Sequence, residues 1–262
     1  MTIAIGLLSE DGIVLASDTK YRTNGNVQYG EKIYPLQVRP WLRVVVAGAG
    51  PVGFIRAASQ KIEDALPHKH VSLSGISAII ETTNKNFYEQ YVIANRQSAA
   101  LPNYGLLVGI FHKPDGFILL HTTENSTAKV DDIEPEGTGG IVAEPYKSLW
   151  REEMPTFEAE LAAIFMVKHA KTYDADNCGG DTRVFTLVSH EILTRLEDGY
   201  IDLAERYFTE FNELSLQMLL PSQTGEMDKE LFDGDLKGIV EKLQHYRDDL
   251  NRYRPHAYRI VP

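Results

Sequence analysis

The sequence predicts an α+β fold, read as a four-layer α/β/β/α sandwich: two antiparallel sheets, helix pairs on the outer faces, and a C-terminal helical extension. Three observations predict it. Short apolar, β-branched runs come in pairs joined by tight-turn residues, as hairpins do. These pairs alternate with two blocks in which apolar residues recur at helical spacing. The resulting order of strands, two helices, strands, two helices and strand differs from the single-helix alternation of a parallel sheet and implies two facing sheets.

Residues 3–8 and 12–17 form the first pair, joined by Ser9-Glu10-Asp11-Gly12, whose Asp-Gly step is a strong hairpin signal. A second pair spans about 32–38 and 43–48, with Arg39-Pro40-Trp41 as its turn. The period then changes. From Pro51 to Leu66, Val52, Ile55, Ala58, Ile62 and Ala65 mark one helix; Ile76, Ile79, Ile80, Phe87 and Tyr91 mark a second over about 73–95. Strands return at about 104–112 and 116–122, joined by Lys113-Pro114-Asp115-Gly116. A segment ending in Glu136-Gly137-Thr138-Gly139-Gly140 leads to helical stretches at about 142–152 and 156–172, then a strand at about 182–189. Residues 2–190 are therefore expected to form one domain. Residues 191–262 are expected to be a strand and helical extension, with helices at about 203–219 and 227–250 broken by Leu220-Pro221-Ser222-Gln223-Thr224-Gly225.

Composition excludes several classes of function. With 26 basic and 37 acidic residues, a net charge of −11, the chain lacks the clustered cations of a nucleic-acid surface. No run of about 18 apolar residues and no signal-peptide pattern occurs, so no membrane partner is expected and the default location is cytoplasmic. The lone Cys178 allows no intrachain disulfide and no cysteine-based zinc cluster. The eight histidines show no metal spacing, and no glycine-rich segment continues into a phosphate-binding Gly-Lys-Ser/Thr pattern. Neither a metal nor a cofactor is expected.

Thr2 draws attention because removal of Met1 would make it the N-terminus. A terminal threonine carries both a nucleophilic hydroxyl and a base, since an α-amine with a pKa of about 7.7 to 8.0 can take up and return the proton. Taken alone, a threonine after an initiator methionine is ordinary. Its downstream context is more specific: a hairpin ending in Leu15-Ala16-Ser17-Asp18, then Glu31-Lys32-Ile33 at a strand start, then Val46-Ala47-Gly48-Ala49-Gly50 before the first helix.

In this order and at nearly this spacing, those features resemble a proteasome β-type subunit or its bacterial homologue, a member of the N-terminal-nucleophile hydrolase superfamily; the resemblance covers about residues 2–190. It implies Thr2 as nucleophile, with Lys32 lowering the pKa of the amine and stabilising the alkoxide, and Asp18 holding Lys32. It also implies that the Gly48 N–H donates to the oxyanion, a role worth about 10² to 10³ in rate. The supporting hydroxyl falls on Thr138. The family's later Asp-x-x-Ser-Gly-Gly segment reads Asp174-Ala175-Asp176-Asn177-Cys178-Gly179-Gly180, so Cys178 takes the serine's place and either Asp174 or Asp176 serves, with Asp176 preferred. Lys20 is the second candidate for the cation. Val46, Tyr21 and Phe54 fall at the specificity pocket and favour apolar side chains.

The resemblance implies a homo-oligomeric ring of threonine-type peptidase or amidohydrolase subunits acting on peptide or unfolded protein; the sequence sets neither ring size nor an ATPase partner. Two readings compete with it: a catalytically inactive structural or assembly subunit of the same fold, favoured by retention of Met1, and an unrelated α+β binding protein. A thiol protease built on Cys178 has no local signature to support it.

Overall fold

The computed structural model describes residues 2–23, 26–36, 39–94, 104–124, 126–188, 192–224 and 229–261. They divide into two compact units. One comprises the chain through Arg195 together with the last residues from Ile260; the other is Leu196–Arg259.

In the first unit, β1 (Ala4–Ser9) and β2 (Gly12–Asp18) meet in a hairpin with Ser9 opposite Gly12. β2 is buried along its whole length, because both of its faces are covered. That explains its unbroken apolar run, where a half-exposed strand would alternate. β2 also pairs with β11 (Thr182–Val188), β11 with β12 (Ile192–Leu196), and β1 with β10 (Ile133–Glu136), giving the order β10-β1-β2-β11-β12 with every pairing antiparallel. A second antiparallel sheet has the order β5-β6-β7-β8-β9, with β5 Ile33–Pro35, β6 Leu42–Ala49, β7 Gly105–His112, β8 Gly116–Thr123 and β9 Ser126–Val130. A separate hairpin, β3 (Lys20–Thr23) and β4 (Asn26–Tyr29), leaves β4 exposed.

The two sheets share a core. Ile13, Leu15, Phe185 and Leu187 of the first pack with Val45, Ala47, Leu107 and Leu119 of the second. On the second sheet's other side, Ile55 and Ile62 of α1 (Val52–Ala65) and Ile76 and Ile80 of α2 (Leu73–Phe87) pack with Val44, Val46, Leu106 and Val108. Spacings of four and seven residues place these side chains on one face of each helix. α4 (Thr156–Tyr173) packs on β1, β2 and β11, its Ala159, Ala163 and Ala170 all buried. Its first turn has no cap of its own. Asp11, from the β1–β2 turn, accepts the Thr156 N–H at 2.9 Å instead, which ties the start of the helix to the hairpin.

The chain is thus a mixed α and β protein built on antiparallel sheets, but several elements differ from expectation. β3, β4, β9 and β10 were not anticipated, since exposed or short polar strands carry little apolar alternation. Helix at 142–152 reduces to a single turn, α3 (Gly140–Ala143), followed by a 3₁₀ segment at Glu144–Leu149. The strand expected at 32–38 ends at Pro35, and residues 37–38 lie outside the described residues.

The second unit is a helix pair, α5 (Asp198–Thr224) and α6 (Lys229–Tyr253). Tyr207 and Tyr246 stack at 4.1 Å between ring centroids, and each hydroxyl donates to a carboxylate of the other helix: Tyr207 to Asp249 and Tyr246 to Glu210. The expected break does not fall at 220–224, because α5 continues through Pro221 to Thr224, and Gly225 lies outside the described residues. Among the described residues no helix is long and apolar enough to cross a membrane.

Candidate active site

Three strand ends converge on one point. Ala4 pairs with Ser17 on β2, so Asp18 stands beside the residues that precede β1, and its side chain turns back onto them. Asp18 Oδ1 accepts the Thr2 hydroxyl at 2.5 Å and the Ile3 N–H at 3.1 Å; Oδ2 accepts the N–H groups of Gly179 at 3.0 Å and Lys20 at 3.2 Å. Lys32, one residue before β5, brings its Nζ to 2.6 Å from Asp18 Oδ1 and 2.5 Å from the Lys20 carbonyl, and also donates to the Thr2 hydroxyl. Its three protons therefore meet three acceptors. Thr2, Asp18 and Lys32 are each 0 % exposed. Burial pulls the Lys32 pKa below the usual lysine value, because removal from water penalises the cation; the charge of Asp18 and its hydrogen bond oppose that shift without cancelling it.

Lys20 does not supply the cation. Its ammonium donates to the Ala175 carbonyl at 2.5 Å, and only its backbone touches Lys32.

The turn after β10 closes over Thr2 from the other side. Gly139 N–H donates to the Thr2 carbonyl at 3.3 Å. Gly137 has φ +96°, and a Cβ there would lie 2.4 Å from that same carbonyl oxygen, so the turn requires glycine. Thr138 lines the same cavity as Thr2, and its buried Oγ1 has no hydrogen-bond partner among the described residues. That cavity, of about 1190 Å³, takes apolar walls from Ala49, Phe54, Phe87 and Tyr91. Tyr21 also lines it, but Val46 does not: it is packed in the core between the second sheet and its helices.

Two expected site residues are displaced. Gly48 cannot present its N–H to a substrate, because that N–H donates to the Lys32 carbonyl at 3.1 Å as a continuation of the β5–β6 ladder. Gly48 is glycine for a packing reason: a Cβ would lie 2.5 Å from Ile55 Cγ2 of α1. Two residues on, Gly50 has φ +121° and lines the same cavity as Thr2. The sequence signal for it was its position directly before Pro51, the N-cap of α1.

Asp176 also lies outside the constellation. Its side chain is 97 % exposed, with the Arg22 guanidinium 3.9 Å away. Asp174 takes the inner position: its carbonyl accepts the N–H groups of Asn177 at 2.9 Å and Cys178 at 2.8 Å, and its carboxylate lies 3.9 Å from Cys178 Sγ. Cys178 is buried against the glycine turn, since a Cβ on Gly139 would sit 2.6 Å from its sulfur. Burial, reinforced by the charges of Asp18 and Asp174, pushes the thiol up to about 12, which leaves it protonated and unreactive at neutral pH.

No protein-family model and no curated protein matches this chain. Among solved structures it is similar to the Pseudomonas aeruginosa protein of a structure described as a helical assembly of the Anbu complex, at TM-score 0.68 and 14% identity over 82% of this chain and 95% of that one. It is similar too to Anbu, the ancestral beta-subunit, from Yersinia bercovieri, at TM-score 0.65 and 15% identity over 86% of this chain and 98% of that one. A Gly-1 mutant of Anbu from Hyphomicrobium sp. strain MC1 gives TM-score 0.67 and 13% identity over 87% and 99%. At these identities the likeness is one of fold. It corrects the family expected from the sequence: these three structures are of Anbu proteins, a group distinct from the proteasome β subunits that the motif order resembles. Four short motifs describe a hairpin and the residues around it, which is too little of a chain to separate groups that share one fold.

Proposed function

We propose that this protein is an amide-bond hydrolase whose nucleophile is the Thr2 hydroxyl, exposed for chemistry once the residue before it is removed. The observation that carries the reading is the placement of that hydroxyl between the Asp18 carboxylate and the Lys32 ammonium at the edge of an apolar cavity. In the acylation step Thr2 Oγ attacks the substrate carbonyl, and its proton passes to the freed α-amine. Lys32 stabilises the developing alkoxide. Its charge also disfavours protonation of the amine, which keeps the amine available as a base. The oxyanion is assigned to the Gly50 N–H, at the turn into α1, where a preorganised donor contributes about 10² to 10³ in rate. The amine then returns its proton to the leaving nitrogen, and water, deprotonated by the same amine, hydrolyses the acyl ester.

Apolar cavity walls favour a peptide substrate with a large apolar side chain before the scissile bond. The threonine peptidase reading extends to assembly from copies of this chain, supported by the helical assembly described for the Pseudomonas aeruginosa protein. The layers are read as α/β/β/α, supported by the core shared between the sheets and by the helices on either side.

Intact mass spectrometry before and after incubation with a peptide epoxyketone, which requires both a hydroxyl and a free α-amine, tests the reading. One adduct localised to Thr2 is expected. A protein that retains Met1 and forms no adduct would sink it and leave an inactive assembly subunit.

A further inference from the structure

A second charged cluster adjoins Thr2, and the chemistry proposed for Thr2 does not use it. His121, on β8 of the second sheet, reaches the end of β10 in the first: its Nε2 lies 2.5 Å from Glu136 Oε2 and its Nδ1 3.3 Å from Glu134 Oε1. Lys147 lies 3.2 Å from Glu134 and 3.2 Å from Glu144. The strands flanking β8 place uncharged Leu107 and Ala128 opposite His121. Glu136 Oε1 is turned the other way and accepts the N–H of Gly137 at 3.0 Å. This placement depends on Gly105 at the start of β7, where a Cβ would lie 2.3 Å from Glu136 Cδ. Gly137 opens the turn whose Gly139 N–H holds the Thr2 carbonyl.

We infer that Glu136, oriented by His121, is a positioning residue that fixes the Gly137–Gly139 turn against Thr2, and that the hold weakens when His121 loses its proton. Only the kinetic consequence rests on the nucleophile reading of Thr2. Burial opposes the His121 charge, but the hydrogen bond to Glu136 and the charges of Glu136 and Glu134 outweigh burial and the Lys147 charge, so its pKa is raised. A raised histidine pKa gives a contribution that is complete below the unfolded value of about 6.5 and is lost as pH climbs through the folded value.

Hydrogen exchange in the full-length protein reads the hold directly, across a pH series, in the wild type and in Glu136→Gln, His121→Gln and Gly105→Ala. Protection of the Gly139 amide, corrected for intrinsic exchange, is expected to fall about tenfold through the alkaline transition in the wild type. In Glu136→Gln and His121→Gln it is expected to be low at every pH with no transition, while β1 and β2 stay protected. Gly105→Ala, which displaces Glu136 but keeps both titrating groups, is expected to lose protection as well. The rate of epoxyketone addition at Thr2 should lose its alkaline limb in the first two variants. Wild-type protection and pH dependence in Glu136→Gln would overturn the inference, even where Thr2 reacts normally. Altered protection in a protein whose Thr2 never reacts would uphold it and reject the nucleophile reading instead.

Discussion

The pairing of Asp18 with Lys32 is tested by removing each partner in turn and then both. The two side chains are 0 % exposed and 2.6 Å apart, so neither can turn to water when the other is lost. Removing one member of a buried pair typically costs about 3–5 kcal/mol. The surroundings predict which loss is worse. In Lys32→Met, Asp18 keeps the backbone N–H groups of Ile3, Lys20 and Gly179, so its charge remains solvated and the cost falls near the lower end, about 3 kcal/mol. In Asp18→Asn, Lys32 keeps only neutral acceptors, the Lys20 carbonyl, the Thr2 hydroxyl and the amide oxygen at position 18, with no counter-charge, and the cost falls near the upper end, about 5 kcal/mol.

For a unit of this size the corresponding drops in Tm are about 6–12 °C for Lys32→Met and about 10–20 °C for Asp18→Asn, at about 2–4 °C per kcal/mol. Thermal unfolding at one fixed protein concentration measures them, since association would otherwise shift Tm by mass action. The double variant should cost less than the sum of the singles, with a coupling of about 0.5–3 kcal/mol. Additive losses would refute the pairing of the two groups, and a Lys32→Met protein less stable than Asp18→Asn would refute the description of Asp18 as a carboxylate held by backbone donors.

Three further outcomes are expected. Gly50→Ala, which forces a side chain onto φ +121° and disturbs the assigned oxyanion donor, should slow epoxyketone addition at Thr2 by about 10² to 10³, whereas Gly48→Ala should cost about 1–3 kcal/mol of stability through the contact with Ile55; addition rates and denaturant midpoints separate the two. Cys178, with a thiol pushed up to about 12, should resist alkylation by iodoacetamide at neutral pH in the folded protein and react on unfolding, as followed by mass spectrometry. Asp176→Ala should leave both addition rate and Tm within error. Asp174→Ala, which removes the carboxylate bonded to the Asn177 amide at 2.7 Å, should lower Tm measurably in the same melting assay.

How much the sequence disclosed depends on how far each signal reaches along the chain. The convergence of Thr2, Asp18 and Lys32 was legible because each sits at an end of a hairpin strand, and packing of the two sheets that hold those hairpins brings the ends together. The Gly48 N–H, expected to face the substrate, is taken up by the Lys32 carbonyl, so the proposed donor lies two residues on. Whether an N–H belongs to a strand ladder or to the turn beyond it depends on where β6 stops, and Val46-Ala47-Gly48-Ala49-Gly50 carries no side chain that marks the end. Asp176 was preferred over Asp174 for a similar reason, since the direction of a side chain in a loop depends on how the loop winds. The pairing of His121 with Glu136 left no trace at all: the residues lie on strands of different sheets, and no periodic pattern joins them. The motif order that suggested a proteasome β subunit samples only the site, whereas the likeness to the Anbu structures is one of fold and extends over most of the chain.

The site also has an order of dependence that no single motif carries. Asp18 collects its donors from four separate stretches: Thr2 and Ile3 before β1, Lys20 at the start of β3, Lys32 before β5, and Gly179 in the loop between α4 and β11. The β1–β2 hairpin forms locally and brings the first of these into range. Lys32 and Gly179 arrive only when β5 has paired with β6 and β11 with β2. Until then Asp18 is an ordinary hydrated carboxylate and Thr2 an ordinary threonine. Burial then acts on the assembled cluster as a whole: it lowers the Lys32 pKa, raises that of Cys178, and excludes water that would screen the charge beside the Thr2 hydroxyl. The chemistry proposed for Thr2 is therefore a property of the completed two-sheet unit, and a fragment holding the N-terminal hairpin alone would contain Thr2 and Asp18 without the Lys32 charge and the burial that the proposal requires.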